Sequence, residues 1–123
     1  MVRARMTAIV AGLILAWSGV AAAQNTAWIH VSVDTRGASG QQVSTFRAFT
    51  TSDEAGTQRI AVDRICVKGI AHRVEEKCAE NADSVELVER TTGLPGVGNL
   101  CVEAVASAES KVGPLSATAR ACP

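Results

Sequence analysis

Tyrosine is absent, and aromatic side chains make up only 3% of the chain. Any core must therefore be assembled from Val, Ala, Leu and Ile, which is adequate but thin filling for one small domain. No two cysteines stand close enough to form a Cys-x-x-Cys pair, so neither the usual zinc-ligand spacing nor the thiol redox motif is present. An excess of either charge is missing too: twelve basic residues face twelve acidic ones, leaving no electrostatic case for nucleic acid or an anionic membrane surface as partner. No apolar run reaches the ~20 residues of a membrane span. Internal repeats and low-complexity linkers are lacking. The glycines of Pro95-Gly96-Val97-Gly98 have no Gly-Lys-Ser/Thr sequel, and the acidic residues lack the Asp-x-Asp-x-Asp-Gly spacing of a calcium loop.

What is present starts at the N-terminus. Arg3 and Arg5 precede an apolar run over residues 8–17, and residues 18–23 end in Ala21-Ala22-Ala23. This is the pattern of a secretory signal peptide cleaved before Gln24. On this reading residues 1–23 are removed, and residues 24–123 form one secreted or periplasmic domain with ten basic residues against twelve acidic ones. The absence of cysteine at the cleavage point excludes lipidation there. Ala4, between Arg3 and Arg5, excludes a twin-arginine signal.

All four cysteines, Cys66, Cys78, Cys101 and Cys122, fall in that domain. An even number in a small exported chain reads as two disulfides. Leu100, Val102 and Ala104 alternate along one segment, as do Leu115, Ala117, Ala119 and Ala121 along another. If these are hairpin arms joined by Cys101–Cys122, Glu103 meets Arg120 and Ala104 meets Ala119. Cross-strand pairing favours both matches, and a one-residue slip destroys them. Cys66–Cys78 follows by elimination. The alternative joins Cys66 to Cys101 and Cys78 to Cys122.

The remaining chain reads mainly as short strands. Residues 27–33 place Ile29, Val31 and Val33 on one face and Trp28, His30 and Ser32 on the other, until residues 36–40 turn the chain. Residues 43–50 form a second strand, in which Phe46 and Phe49 on opposite faces predict a bulge or two-sided burial. Ile60, Val62, Ile65 and Val67 make a third, shifting phase around Asp63 and stopping at Lys68-Gly69. Residues 71–82 carry both a helical pattern (Ala71, Val74, Cys78, Ala82) and that of an irregular strand with a loop at residues 81–84, the strand agreeing better with its neighbours. Residues 85–90 form another strand, and residues 93–99 lead into the hairpin. About seven such strands in one unit predict an all-β, single antiparallel sandwich with two disulfides.

Thr92-Gly93-Leu94-Pro95-Gly96, then residues 100–107, then Val112-Gly113-Pro114-Leu115-Ser116, resemble in that order the end of a fibronectin type III domain, over about a third of the mature chain. The resemblance implies a sandwich used for binding and spacing rather than catalysis, with disulfides standing in for the corner tyrosine that this chain lacks. The residues agree. His30, Ser32 and Asp34 are alternate residues of one strand, so they project in parallel and cannot converge as a triad. His72 reads as a solvated histidine. Glu75, Glu76, Glu80 and Asp83 read as a solvated acidic face. With no catalytic, metal or cofactor residues assigned, the expectation is a non-enzymatic binding or adhesion module contacting a protein or polysaccharide through loops at one end. The alternative is a small secreted inhibitor or effector of an extracytoplasmic enzyme, using a loop such as residues 107–113.

Overall fold

The computed structural model describes residues 26–93 and 95–123; the expected signal peptide and Leu94 lie outside the described residues. Seven strands follow in chain order: β1 (Trp28–Ala38), β2 (Gln41–Thr51), β3 (Val62–Ile70), β4 (Val74–Ala82), β5 (Ser84–Thr92), β6 (Val102–Ser110) and β7 (Gly113–Ala121). They form two antiparallel sheets, ordered β1-β2-β5 and β4-β3-β6-β7, packed as a sandwich. Residues 71–82 are therefore not helical. Residues 74–82 pair with β3, which places Cys78 directly opposite Cys66.

Cys66 to Cys78 joins β3 to β4, and Cys101 to Cys122 closes the β6–β7 pair one residue beyond its paired ends, with Cα separations of 4.0 and 4.1 Å. The β6–β7 register pairs Glu103 with Arg120 and Ala104 with Ala119. Charge matching and small-residue matching thus fix the hairpin as the sequence suggests.

The interior is a set of cross-strand rows. From the three-stranded sheet come Val31–Ala48–Val85 and Val33–Phe46–Leu87. Facing them, Ile65 and Val67 alternate with the alanines of β6, Ala104, Ala106 and Ala108. Phe46, fully buried, is the one aromatic residue of that core among the described residues. Its ring occupies the space where Gly69 would carry a side chain: a Cβ there would lie 2.6 Å from the ring. This corrects the reading of Lys68-Gly69 as a stop. β3 runs through Gly69 to Ile70 because the missing side chain is filled by an aromatic ring from the other sheet, not because the backbone turns.

Further boundaries differ, and the loop expected at residues 81–84 shrinks to Asp83 between β4 and β5. β1 continues to Ala38 and only Ser39-Gly40 form the turn, Gly40 having a φ of 85°. Gly37 stays in the strand because the backbone of Gly98 packs against it, with Gly98 O 1.9 Å from where a Cβ would sit. Phe49 needs no bulge, since the β1–β2 register is continuous past it; burial on both faces of β2 explains the pattern. Residues 107–113 are not a loop: β6 extends to Ser110 and only Lys111 and Val112 separate it from β7.

Candidate functional site

The alternation of the strands sends the β2–β3 segment (residues 52–61), the lead-in Thr26-Ala27 and the β6–β7 turn to one end of the sandwich. Between them lies a cleft of about 470 Å³, walled by Ala27, Ile60, Ala61, Val62 and Val112, with the exposed Asp63 and Lys111 beside them. Its volume falls in the range of ligand pockets, ~300–1,000 Å³. Val112 is 45% exposed, an uncovered apolar side chain next to this concavity.

One wall of the cleft, the 52–61 segment, is held by side chains as much as by backbone. Thr50 Oγ1 donates to Ile60 O at 2.8 Å, and Ile60 N donates back to Thr50 O at 3.1 Å. The Asp53 carboxylate accepts from Thr57 N, Thr57 Oγ1 and Gln58 N at 2.5 to 3.2 Å. Those bonds, the Thr57 hydroxyl first and the Gln58 amide next, hold the Asp53 carboxyl below its ordinary range, since each favours the ionised form. Such local caps are characteristic of aspartate in turns.

The segment is also fastened to the outer face of β1 and β2. Arg59 lies over the Phe49 ring at 4.3 Å, and Phe49 stacks on His30 with centroids 4.8 Å apart. His30 Nε2 is 2.8 Å from Thr51 Oγ1, whose single proton is directed to Asp53 O at 2.5 Å. His30 must then donate from Nε2, which fixes its tautomer. Gly56 closes the stack, its backbone so near His30 that a Cβ would come within 3.2 Å of the ring.

The opposite end holds a different arrangement. Thr35, Ser44 and Glu89 form one inward row across β1, β2 and β5. Gln42 Nε2 donates to Thr35 Oγ1 at 2.8 Å and to Leu100 O at 2.7 Å, while Gln42 Oε1 accepts from His72 Nε2 at 3.3 Å. Glu89 is only 4% exposed. Its Oε2 lies 3.2 Å from Arg73 Nε, within ion-pair range but outside hydrogen-bond alignment, and makes no hydrogen bond. Burial raises the Glu89 pKa above the usual carboxylate value, opposed by Arg73. Arg73 is shared, because Glu75 also pairs with it.

The residues weighed for chemistry are thus dispersed. His30, Ser32 and Asp34 lie along the outer face of β1, His30 engaged with Phe49 and Thr51 and Asp34 3.5 Å from Arg36. His72, expected in solvent, is half-buried against Gln42. The acidic group splits across elements: Glu75 turns to Arg73, Glu80 to Arg64 at 3.2 Å and Asp83 to Arg59 at 3.8 Å, while Glu76 stands opposite Lys68. Potential ligand atoms of Cys66, Glu76 and Cys78 lie within 4.8 Å of one another, but the two sulfurs are bonded to each other. Sequence reasoning missed Glu89, Gln42 and the Arg59–Phe49–His30 stack. The alternation Val85, Leu87, Glu89 carried a signal for the first, since a carboxylate there shares the phase of two apolar residues.

No protein-family model matches the chain, and neither a curated protein nor a solved structure is similar enough to count as a match.

Proposed function

We propose that this domain is an exported, non-enzymatic binding module of fibronectin type III-like architecture that holds a partner protein at the cleft between the 52–61 segment and the β6–β7 turn. The observation that carries this reading is the cleft of about 470 Å³ with apolar walls, one of them already fixed by the Thr50, Asp53 and Arg59 contacts. A wall ordered before binding loses little further entropy on binding. Small aliphatic lining suits an apolar side chain of a protein better than a polysaccharide, which would be gripped through aromatic faces. Here the Phe49 ring is already covered by His30 and Arg59. Two disulfides are compatible with an oxidising, extracytoplasmic setting. The division into three and four strands departs from the constant-type immunoglobulin arrangement, because the fourth strand pairs with the third rather than joining the sheet of the first two. Inhibition of an enzyme is the weaker reading, as the two-residue turn at Lys111-Val112 offers little to insert into an active site.

The test is capture from the extracytoplasmic fraction by the oxidised domain, set beside the Val112→Asp and Ala61→Asp variants, each confirmed folded by circular dichroism. A partner held by the wild type and released by both substitutions supports the cleft. Retention by both variants, or recovery of a single hydrolase inhibited at equimolar ratio, would overturn the proposal.

A further inference from the structure

The outer face of the four-stranded sheet carries the row Cys78–Cys66–Ser107, taken across β4, β3 and β6. Cys66 is only 9% exposed, and the small, exposed Ser107 is its neighbour on the open side. A recess of about 240 Å³ opens there, lined by Arg64, Cys66, Glu76, Ser107, Ala108 and Glu109. Cys78 is not part of that lining, so the recess touches Cys66 and not its bonded partner. Displacement at sulfur requires the incoming thiolate to approach in line, from the side remote from the leaving sulfur. In the strand order β4-β3-β6, that is the side of Ser107. At the other end of the bond, Arg64 Nη2 donates to Cys78 Sγ at 3.4 Å, while its Nε pairs with Glu80. That guanidinium is placed to hold the departing sulfur, against the Glu76 carboxylate that lies within 4.8 Å of both sulfurs.

We propose that the Cys66–Cys78 bridge is a thiol-exchange site: a small thiol enters the recess beside Ser107, bonds to Cys66, and releases Cys78 as a thiolate next to Arg64. The electron pair of the incoming thiolate forms the new sulfur–sulfur bond, the Cys66–Cys78 bond breaks, and its pair leaves on Cys78 Sγ, which then equilibrates with solvent protons. One disulfide replaces another, so no separate oxidant is needed. Two carboxylates, Glu76 and Glu109, outnumber the one guanidinium, Arg64, in the lining, which favours cationic thiols over anionic ones. Because β4 is an edge strand hydrogen-bonded only to β3, Cys78 can move away without breaking a central ladder.

The experiment exposes the oxidised domain briefly to cysteamine, a cationic thiol, or to 2-mercaptoethanesulfonate, an anionic one, then alkylates it and maps the peptides. The expected product carries the small thiol on Cys66 and the alkyl group on Cys78, formed several-fold faster with cysteamine. Ser107→Leu should suppress that product and Ser107→Gly should accelerate it, with the rate at Cys101–Cys122 unchanged as an internal reference. Arg64→Gln should slow release of Cys78. First modification at Cys78, Cys101 or Cys122, or equal rates in the leucine and glycine variants, would overturn the proposal.

Discussion

The two ends of the sandwich solve the same problem, closing the gap between sheets, with opposite chemistry. At the cleft end, order comes from the outside. Asp53 is half-exposed, makes short local bonds and has its pKa held down, and the segment it caps is clamped to the sheet surface by Arg59 and Phe49. At the other end, order comes from polar groups carried into the interior, where Gln42 links three segments and Glu89 is buried beside Arg73 with its pKa raised. The Cys101–Cys122 bridge pins the last strand pair at that same end. One end is fixed around an open cleft, and the other is filled by buried polar groups, with Val74 and Leu100 exposed beside them. That difference supports assigning the binding role to the first.

The comparison can be broken most severely through the covalent link. Replacing Cys101 and Cys122 together by serine should cost about 3 kcal/mol, the expectation for a loop of this length, read as a lower urea midpoint. The hydrogen-exchange protection of the 52–61 segment should persist in native conditions. If protection is lost at both ends equally, the ends are not independent.

Next in size is the pH response of the end that buries Glu89. A carboxyl whose folded pKa is raised binds more protons folded than unfolded, so stability declines as pH rises from the ordinary carboxylate value through the raised one. Glu89→Gln should remove that decline and stabilise the domain at neutral pH by on the order of 1 kcal/mol, since a buried charge short of hydrogen bonds is lost. Thermal melts from pH 3 to 8 check it, and a destabilised variant at neutral pH would show instead that the Arg73 pair is net favourable.

Smaller still, Arg59→Ala should cost about 0.5–1 kcal/mol through the lost cation–π contact. It should also shift the His30 ring resonances, while leaving those of His72 in place. The smallest effect belongs to Asp53→Asn. Its depressed pKa gives a contribution present above the ordinary aspartate value and lost as pH falls through the depressed one, opposite in sign to Glu89. The variant should speed amide exchange at Thr57 and Gln58 with little change in global midpoint.

Much of this architecture could be read from local pattern. The β6–β7 register followed from a charge pair and a run of alanines, because in a hairpin the partners lie close in sequence. Legibility ended where a residue answers to a distant one. Gly69 looks like any turn glycine until Phe46 is placed over it from the other sheet. His72 looks solvated until Gln42 arrives from β2. The helical spacing of Ala71, Val74, Cys78 and Ala82 yields because pairing with β3 satisfies the backbone and aligns the disulfide. The cleft was legible only as an expectation of loops at one end. Its walls come from segments that the topology, not the sequence, brings together.

The position of the Cys101–Cys122 bridge also bears on mechanics. The described chain starts at Thr26 at one end of the sandwich, ahead of β1, and finishes at Pro123 at the other, beyond β7. A stretching force applied between those points would load both strands in shear along their length. The last strand cannot slide past its neighbour while the covalent link holds and passes the load to the central β6, whereas β1 is an edge strand held to β2 by hydrogen bonds alone. Under tension the domain would therefore yield from its N-terminal strand first, taking one wall of the cleft, Ala27, with it.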